Sequence, residues 1–348
     1  MALKIKTNRR VDVASPAHVA KNFQVVILNS TFSDWTPDDT ALSEECLTRM
    51  KRSLSVVGLN ADIVQIKRDI AGPLKKYDPR ETVIFNWCEG IDGAPNAYDA
   101  VPPVLEELGF AYTGADAWSL GVSQDKGQTK TLLLEHGIPT PVSKIYDRPV
   151  LNGWRRYPAL VKPATEHCSF GISRDSVVDN AQQLKDRIQY VVDTWKSPAL
   201  VEDFIDGAEF NVSVWGNGED AEVLPLSMME YGIFTDYHDR LCTFDAKWNP
   251  ESDAYRLIAV QCPAPIEKTL ERRIKRVALA TWKALKMRDY GRVDMRVRNG
   301  VPYVLDVNAN PDITMEGGFA RSCRAAGYDY GMAIAKILRH AAERMPTH

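Results

Sequence analysis

GRVDMRVRNGVPYVLDVN, residues 291–308, reads as a β-hairpin, because polar and apolar residues alternate on both sides of the Asn299-Gly300 turn signal. Residues two apart in a strand share a face, so Arg292 and Asp294 project together, and Asp306, Asn308 and Asn310 do the same on the other strand. A soluble strand normally spends one face on a core. Here one face of each strand collects hard oxygen donors, and two carboxylates with an amide oxygen suit a Mg²⁺ ion that also binds phosphates. An exposed edge hairpin with solvated charges would carry similar residues. The Asn-x-Asn-Pro sequence at the strand end favours the metal site, since asparagine adds little to strand stability.

Register decides whether one ion can touch both aspartates. A regular two-residue turn at Asn299-Gly300 would pair Asp294 with Leu305 and turn Asp306 to the opposite face, unless a bulge intervened. A three-residue loop, Arg298-Asn299-Gly300, is the expected repair. With Gly300 left-handed it pairs Arg292 with Asp306 and gathers Arg292, Asp294, Asp306 and Asn308 on one face.

Outward from the hairpin the chain falls into three blocks after a basic extension, residues 1–22. Residues 23–118 hold the apolar runs FQVVILN (23–29), ADIVQI (61–66) and TVIFN (82–86), with helical patterns at Leu42–Leu54 and Tyr98–Leu108, the alternation of a parallel α/β sheet. Residues 119–205 open with a helix for which Ser123 is the expected N-cap and Gly137 the stop. PALVKP (158–163) and PALVEDFI (198–205) then read as strands around a loop at 165–173 and a helix at Ala181–Trp195. Residues 206–348 carry strands at 209–215 and 221–227, a long polar loop at 229–262, an amphipathic helix at Ile266–Leu285, the hairpin, and a closing helix at Tyr328–Met345. The fold class is thus α/β followed by α+β.

The 348 residues are 45% apolar and 26% charged, the balance of a soluble globular chain of two or three domains. A net charge of −3 argues against nucleic acid as a partner, and no apolar run is long enough to span a bilayer. The extension lacks the apolar segment of a secretory signal, and the six cysteines form no C-x-x-C pair, so a reducing cytoplasm is the expected home.

Other residues suggest phosphate chemistry. Lys162 ends a buried-looking strand before a loop with Ser169 and Gly171, which suits a phosphate clamp, although a lysine snorkelling beside a strand looks the same. Lys126 at a helix start opposes the helix dipole, and either an anionic ligand or solvent would account for it. Glu202 and Glu209, at strand ends, could accept hydrogen bonds from a ribose or an amino group, or could be rim charges.

The ordered set Lys126, Lys162-Pro163, a Ser/Gly loop, Glu202, Glu209, Lys247, Arg292-x-Asp294 and Asp306-x-Asn308 resembles the ATP-grasp superfamily, and within it the D-alanine–D-alanine ligases. SQDKGQTKTLLLEHGIPTP, YPALVKPATEHCSFGIS and GRVDMRV…LDVNANP carry the likeness, and TVIFNWCEG…ELGFAYTGA resembles the same family's N-terminal domain, so it spans roughly residues 23–345. The resemblance implies an ATP-grasp fold behind an N-terminal parallel α/β domain, with ATP between two lobes. It implies Lys126, Lys162 and Ser169 at the phosphates, Glu202 at the adenine, Glu209 at the ribose and Lys247 near the γ-phosphate. It also implies Asp294, Asp306 and Asn308 on Mg²⁺, which Mn²⁺ could replace, and Arg292 facing the reacting carboxylate. The implied reaction joins a small-molecule carboxylate to an amine through an acyl-phosphate, and a homodimer is left open.

Departures cluster in the amino-acid pockets. The family's glycine-rich, glutamate-containing turn reads NSTFSDWTPDD (29–39), and its Leu-His-Gly reads Cys88-Glu89-Gly90. A serine that helps hold the first D-alanine falls at Cys168, a tyrosine at Trp248, and the second alanine's carboxylate pocket reads Asp312 to Gly318. The expectation is the same reaction on substrates other than a D-alanine pair. Ligation to a peptide or protein terminus, and nucleotide binding without ligation, are the competing readings.

Overall fold

The computed structural model describes residues 23–150, 153–166, 169–244, 246, 249 and 251–346, so the basic extension lies outside the described residues. The first sheet is parallel, in the order Ala61–Ile66, Gln24–Ser30, Thr82–Trp87, Ala111–Tyr112. Val25–Leu28 is apolar without a break because both faces of its strand are covered. Val25 and Ile27 meet helix Pro37–Val56 and the C-terminal helix Tyr330–Ala342, while Val26 and Leu28 meet Ile70, Leu74 and Leu105. Helix Pro37–Val56 starts five residues earlier than its apolar spacing indicates, because a capping box of Thr36 and Asp39 with Pro37 at the first position nucleates it.

Two helices, Ala117–Gln124 and Lys126–Glu135, follow in close succession. Ser123 lies inside the first, and Asp125 caps the second by accepting from the Gln128 amide, which corrects the expected N-cap. Gly137 takes a left-handed φ of +64° just beyond the second helix, as its stop role requires. Leu133 and Ile138 join the core of the third sheet rather than that of the second.

The second sheet is antiparallel, in the order Ser143–Tyr146, Ala199–Asp203, Ala159–Pro163, Val177–Val178. Helix Ala181–Trp195 covers it through Leu184, Ile188 and Val191. The third sheet runs Ala259–Gln261, Ser227–Glu230, Glu209–Gly216, Asp289–Arg298, Val301–Asn308, backed by helix Lys268–Ala284. The stretch expected as one polar loop, 229–262, begins and ends in paired strands and contains a short helix, Asp253–Leu257. Each strand is too short to show periodicity: Ser227–Glu230 is held between Glu209–Gly216 and Ala259–Gln261, and Ala259–Gln261 is held by Ser227–Glu230 alone. Helix Gly318–Ala325 was likewise not expected.

The hairpin corrects the expected loop. Arg298 pairs with Val301, so the turn has two residues, and Asn299 and Gly300 sit at φ +53° and +72° as a type I′ turn demands. Parity is restored by a bulge. Met295 pairs with Val304 but Asp294 pairs with Asp306, leaving Leu305 as the extra residue.

The first and third sheets are tied together beside the hairpin. Asp289, fully buried, accepts from the Gly114 amide at 2.8 Å and from Arg344 at 2.6 and 2.8 Å, and Arg344 also donates to the Tyr112 carbonyl. The segment just after the C-terminal helix thereby locks the first sheet to the third.

Candidate active site

A cleft of about 790 Å³ opens between the second and third sheets, with the hairpin as its floor. The bulge makes that floor. Arg292 lies opposite Asn308 and Asp294 opposite Asp306, so all four side chains stand on one face of the hairpin, and all four line the cleft. Asp294 accepts from Arg292 at 2.7 and 2.9 Å, from the Asn211 amide at 2.7 Å and from the Asn308 amide at 3.0 Å. Burial works against the Arg292 charge, but the Asp294 carboxylate outweighs it and holds the guanidinium firmly protonated.

The donor set fits Mg²⁺ better than a closed protein cage. Among the described residues no three His, Cys, Asp or Glu side chains converge as a metal cluster. Two carboxylates and an amide on one face leave the remaining positions of an octahedral ion to phosphate oxygens and water, the usual arrangement for nucleotide-bound Mg²⁺.

The cleft's back wall is a buried charge network. Glu202, with 1% of its side chain exposed, receives Lys130 Nζ at 2.8 Å and Lys162 Nζ at 2.8 Å. Burial alone would raise the Glu202 carboxyl, and the two ammonium groups hold it below the usual carboxylate range. The bulge serves this network too. Lys130 donates to the Val304 carbonyl at 3.1 Å, and Lys162 reaches toward the Leu305 carbonyl at 3.5 Å. Lys126 is also buried, at the first turn of its helix, where it donates to the Glu166 carbonyl. Burial pulls its pKa down while Asp306 pushes it up.

At the other end, Glu209 Oε2 accepts from Arg296 Nε at 2.8 Å and from the Tyr231 hydroxyl at 3.0 Å. A cover lies across the cleft. Ser169 donates to the Cys242 carbonyl at 2.8 Å, the rings of Phe170 and Phe244 are 5.0 Å apart, and Arg174 pairs with Asp236 and Asp239. The loop after strand Ala159–Pro163 and the long segment before Ala259–Gln261 thus meet over the opening.

Comparisons with known proteins identify the family and the fold. A family model described as D-ala D-ala ligase C-terminus covers residues 147–339, more than half of the chain. The chain belongs to this family. An uncharacterized protein y4sG of Sinorhizobium fredii (strain NGR234) is 35% identical over 268 residues, 75% of each chain. A D-alanine–D-alanine ligase of Alcanivorax borkumensis is 28% identical over 308 residues, 88% of this chain and 91% of its own. In fold, the chain is similar to the D-alanine–D-alanine ligase of Bacillus anthracis solved with ATP, at a TM-score of 0.71 and 20% identity over 92% of this chain and 98% of that one. The protein is an ATP-dependent ligase of the ATP-grasp fold. No helix among the described residues is long and apolar enough to cross a membrane.

In this ligase Lys126, Lys162, Ser169, Glu202, Glu209, Arg292, Asp294, Asp306 and Asn308 all line the one cleft. Lys247, Cys168 and Trp248 lie outside the described residues. Asn310 sits past the strand end, where its side-chain oxygen accepts from the Tyr290 hydroxyl at 3.0 Å. Two residues were missed. Lys130 is one helical turn after Lys126, and that spacing was a usable signal. Arg296 continues the alternation Arg292, Asp294 by one more step and lines the cleft with them.

Proposed function

We propose that this ligase joins a small-molecule carboxylate to an amine through an acyl-phosphate, on substrates other than a pair of D-alanines. The opposition of Asp294 and Asp306, with Arg292 beside them on the floor of a cleft walled by buried lysines, is the observation that carries the reading. That arrangement supports Mg²⁺ and polyphosphate at one place and a carboxylate next to them. The relative solved with ATP supports ATP as the nucleotide.

Asp294, Asp306 and Asn308 would hold Mg²⁺ (or Mn²⁺), which supplies neutralisation of phosphate charge. Lys126 and Lys162 hold the phosphate oxygens, with Ser169 at the loop above; a γ-phosphate role for Lys247 rests on the family resemblance alone. Glu209 faces the ribose, and Glu202, near the adenine, keeps Lys162 aimed. Arg292 orients the substrate carboxylate and balances the charge that spreads as it reacts. The cover formed by residues 169–174 and 234–244 excludes water, which would otherwise hydrolyse an acyl-phosphate.

The wall at the substrate end supports different amino-acid pockets. Asp312, Glu316 and Arg321 line it beside Arg292. A methyl side chain has no use for three charged neighbours. Incubating the ligase with Mg²⁺-ATP and D-alanine alone tests this: little or no D-alanyl-D-alanine should form, and efficient formation at ordinary substrate concentration would refute it.

A further inference from the structure

Arg187, in helix Ala181–Trp195, is a buried cation with no carboxylate among its hydrogen-bond partners. Its Nη2 donates to the Gly171 carbonyl at 2.6 Å and to the Ser176 hydroxyl at 2.7 Å. The guanidinium carbon lies 4.5 Å from the Tyr190 ring centre, and Nε meets no acceptor among the described residues. Burial works against the charge. A buried cation that serves a carbonyl and a hydroxyl instead of an acid is costly, so packing of the helix alone does not account for it.

Both acceptors belong to the loop over the cleft. Gly171 has a left-handed φ of +71° and is wedged between two elements, since a Cβ there would meet Pro163 Cγ at 2.8 Å and Trp195 Nε1 at 2.9 Å. Ser176 is fully buried and closes a capping box with Ser173. The Ser173 amide donates to the Ser176 hydroxyl at 3.0 Å, and the Ser176 amide to the Ser173 carbonyl at 2.9 Å. The Ile172 amide donates to the Ser169 carbonyl at 3.1 Å. Residues 169–176 are therefore a compact turn held from beneath by one guanidinium. Contacts with the segment 234–244 start from this turn: Ser169 meets the Cys242 carbonyl, Phe170 the Phe244 ring, and Arg174 both Asp236 and Asp239. Arg187 itself does not line the cleft, so any effect it has on bound nucleotide passes through the turn.

We propose that Arg187 is the positioning residue of the cover: by fixing Gly171 and Ser176 it keeps residues 169–176 as a preformed rim, onto which 234–244 docks when nucleotide binds. The inference rests on the reading of the cover given above. Without Arg187 the chain keeps its sheets but cannot close over the nucleotide.

Hydrogen exchange of the full chain, followed by mass spectrometry with and without Mg²⁺ and the non-hydrolysable ATP analogue AMP-PNP, tests it. In the wild type the analogue should slow exchange in 234–244 about tenfold or more. Arg187→Met should speed exchange in 169–176 about tenfold in the absence of nucleotide, the worth of one hydrogen bond from a charged donor. It should leave helix Ala181–Trp195 as protected as before and cut the slowing of 234–244 below about threefold. An arginine that merely stabilised its own lobe would speed exchange along the helix and strand Ala159–Pro163 together and leave the slowing of 234–244 intact, and that pattern overturns the proposal. Unchanged exchange in 169–176 of a folded Arg187→Met variant overturns it as well. Should Arg187→Met not fold, Ser176→Ala, which removes one of the two acceptors, must reduce the slowing of 234–244, and an unchanged value overturns the proposal. Calorimetric binding of AMP-PNP to the wild type with no slowing of 234–244 overturns the cover reading and the proposal with it, whereas a wild type that does not bind the analogue overturns the nucleotide reading beneath both.

Discussion

Replacing Glu202 by glutamine removes one charge and keeps the volume. In the wild type two ammonium groups, Lys130 and Lys162, meet that carboxylate at 2.8 Å each. The amide offers one oxygen acceptor and turns two N–H donors toward the lysines. Lys130 retains the Thr140 hydroxyl at 2.8 Å and the Val304 carbonyl at 3.1 Å, whereas Lys162 keeps only the long contact of 3.5 Å to Leu305. The loss therefore falls mainly on Lys162, a buried cation left short of its partner. Breaking a buried pair in this way costs about 3–5 kcal/mol. For a chain of this length that corresponds to a fall of about 4–7 °C in melting temperature. Thermal unfolding followed by tryptophan fluorescence should show it, and adding Lys130→Met to Glu202→Gln should cost little more, since fewer buried charges then remain uncompensated. A Glu202→Gln variant melting within about 1 °C of wild type would refute the claim that this triad is an electrostatic unit of the cleft wall.

Gly207 sits in the connection between the lobes, and a Cβ there would meet the Val297 carbonyl oxygen at 1.9 Å, so Gly207→Ala should destabilise by about 2 kcal/mol or more, measured by urea unfolding. Asp306→Ala and Asp294→Ala should each abolish Mg²⁺-dependent ADP release while circular dichroism stays native, and wild-type turnover in either would remove the metal assignment. Arg292→Met should cut turnover severely and leave the dissociation constant for ATP nearly unchanged, whereas Lys162→Met should weaken ATP binding. A large rise in the ATP dissociation constant of Arg292→Met would contradict the role given to it.

The sheet strands were legible in the sequence where burial is complete. Val25–Leu28 and Ala159–Val161 are apolar because covered strands must be, and helix Ala181–Trp195 shows its period plainly. The helix starts were harder, since the Thr36–Asp39 capping box and the Asp125 cap act through local hydrogen bonds that leave no periodic trace. The hairpin shows the limit best. Its alternation revealed which residues share a face on each strand, and the demand that Asp294 and Asp306 meet revealed that register had to shift. Whether a longer turn or a bulge made the shift was not decidable from Asn299-Gly300 alone. The bulge wins in a setting where the carbonyls of Val304 and Leu305 meet Lys130 and Lys162, residues 130 positions or more away. Arg296 escaped notice for a related reason: its hydrogen bonds go to Glu209, Ile205 and Arg240, and none of those contacts is local.

The central claim is ligation through an acyl-phosphate, and the nucleotide product distinguishes it most directly. The ligase should be incubated with Mg²⁺-ATP and pooled amino acids and other small carboxylates, with nucleotides resolved by chromatography and condensed products by mass. The account predicts ADP and inorganic phosphate in equal amounts, together with a product whose mass is the sum of an acid and an amine less one water. Formation of AMP and pyrophosphate, or ADP release with no condensed product from any pool, would contradict it.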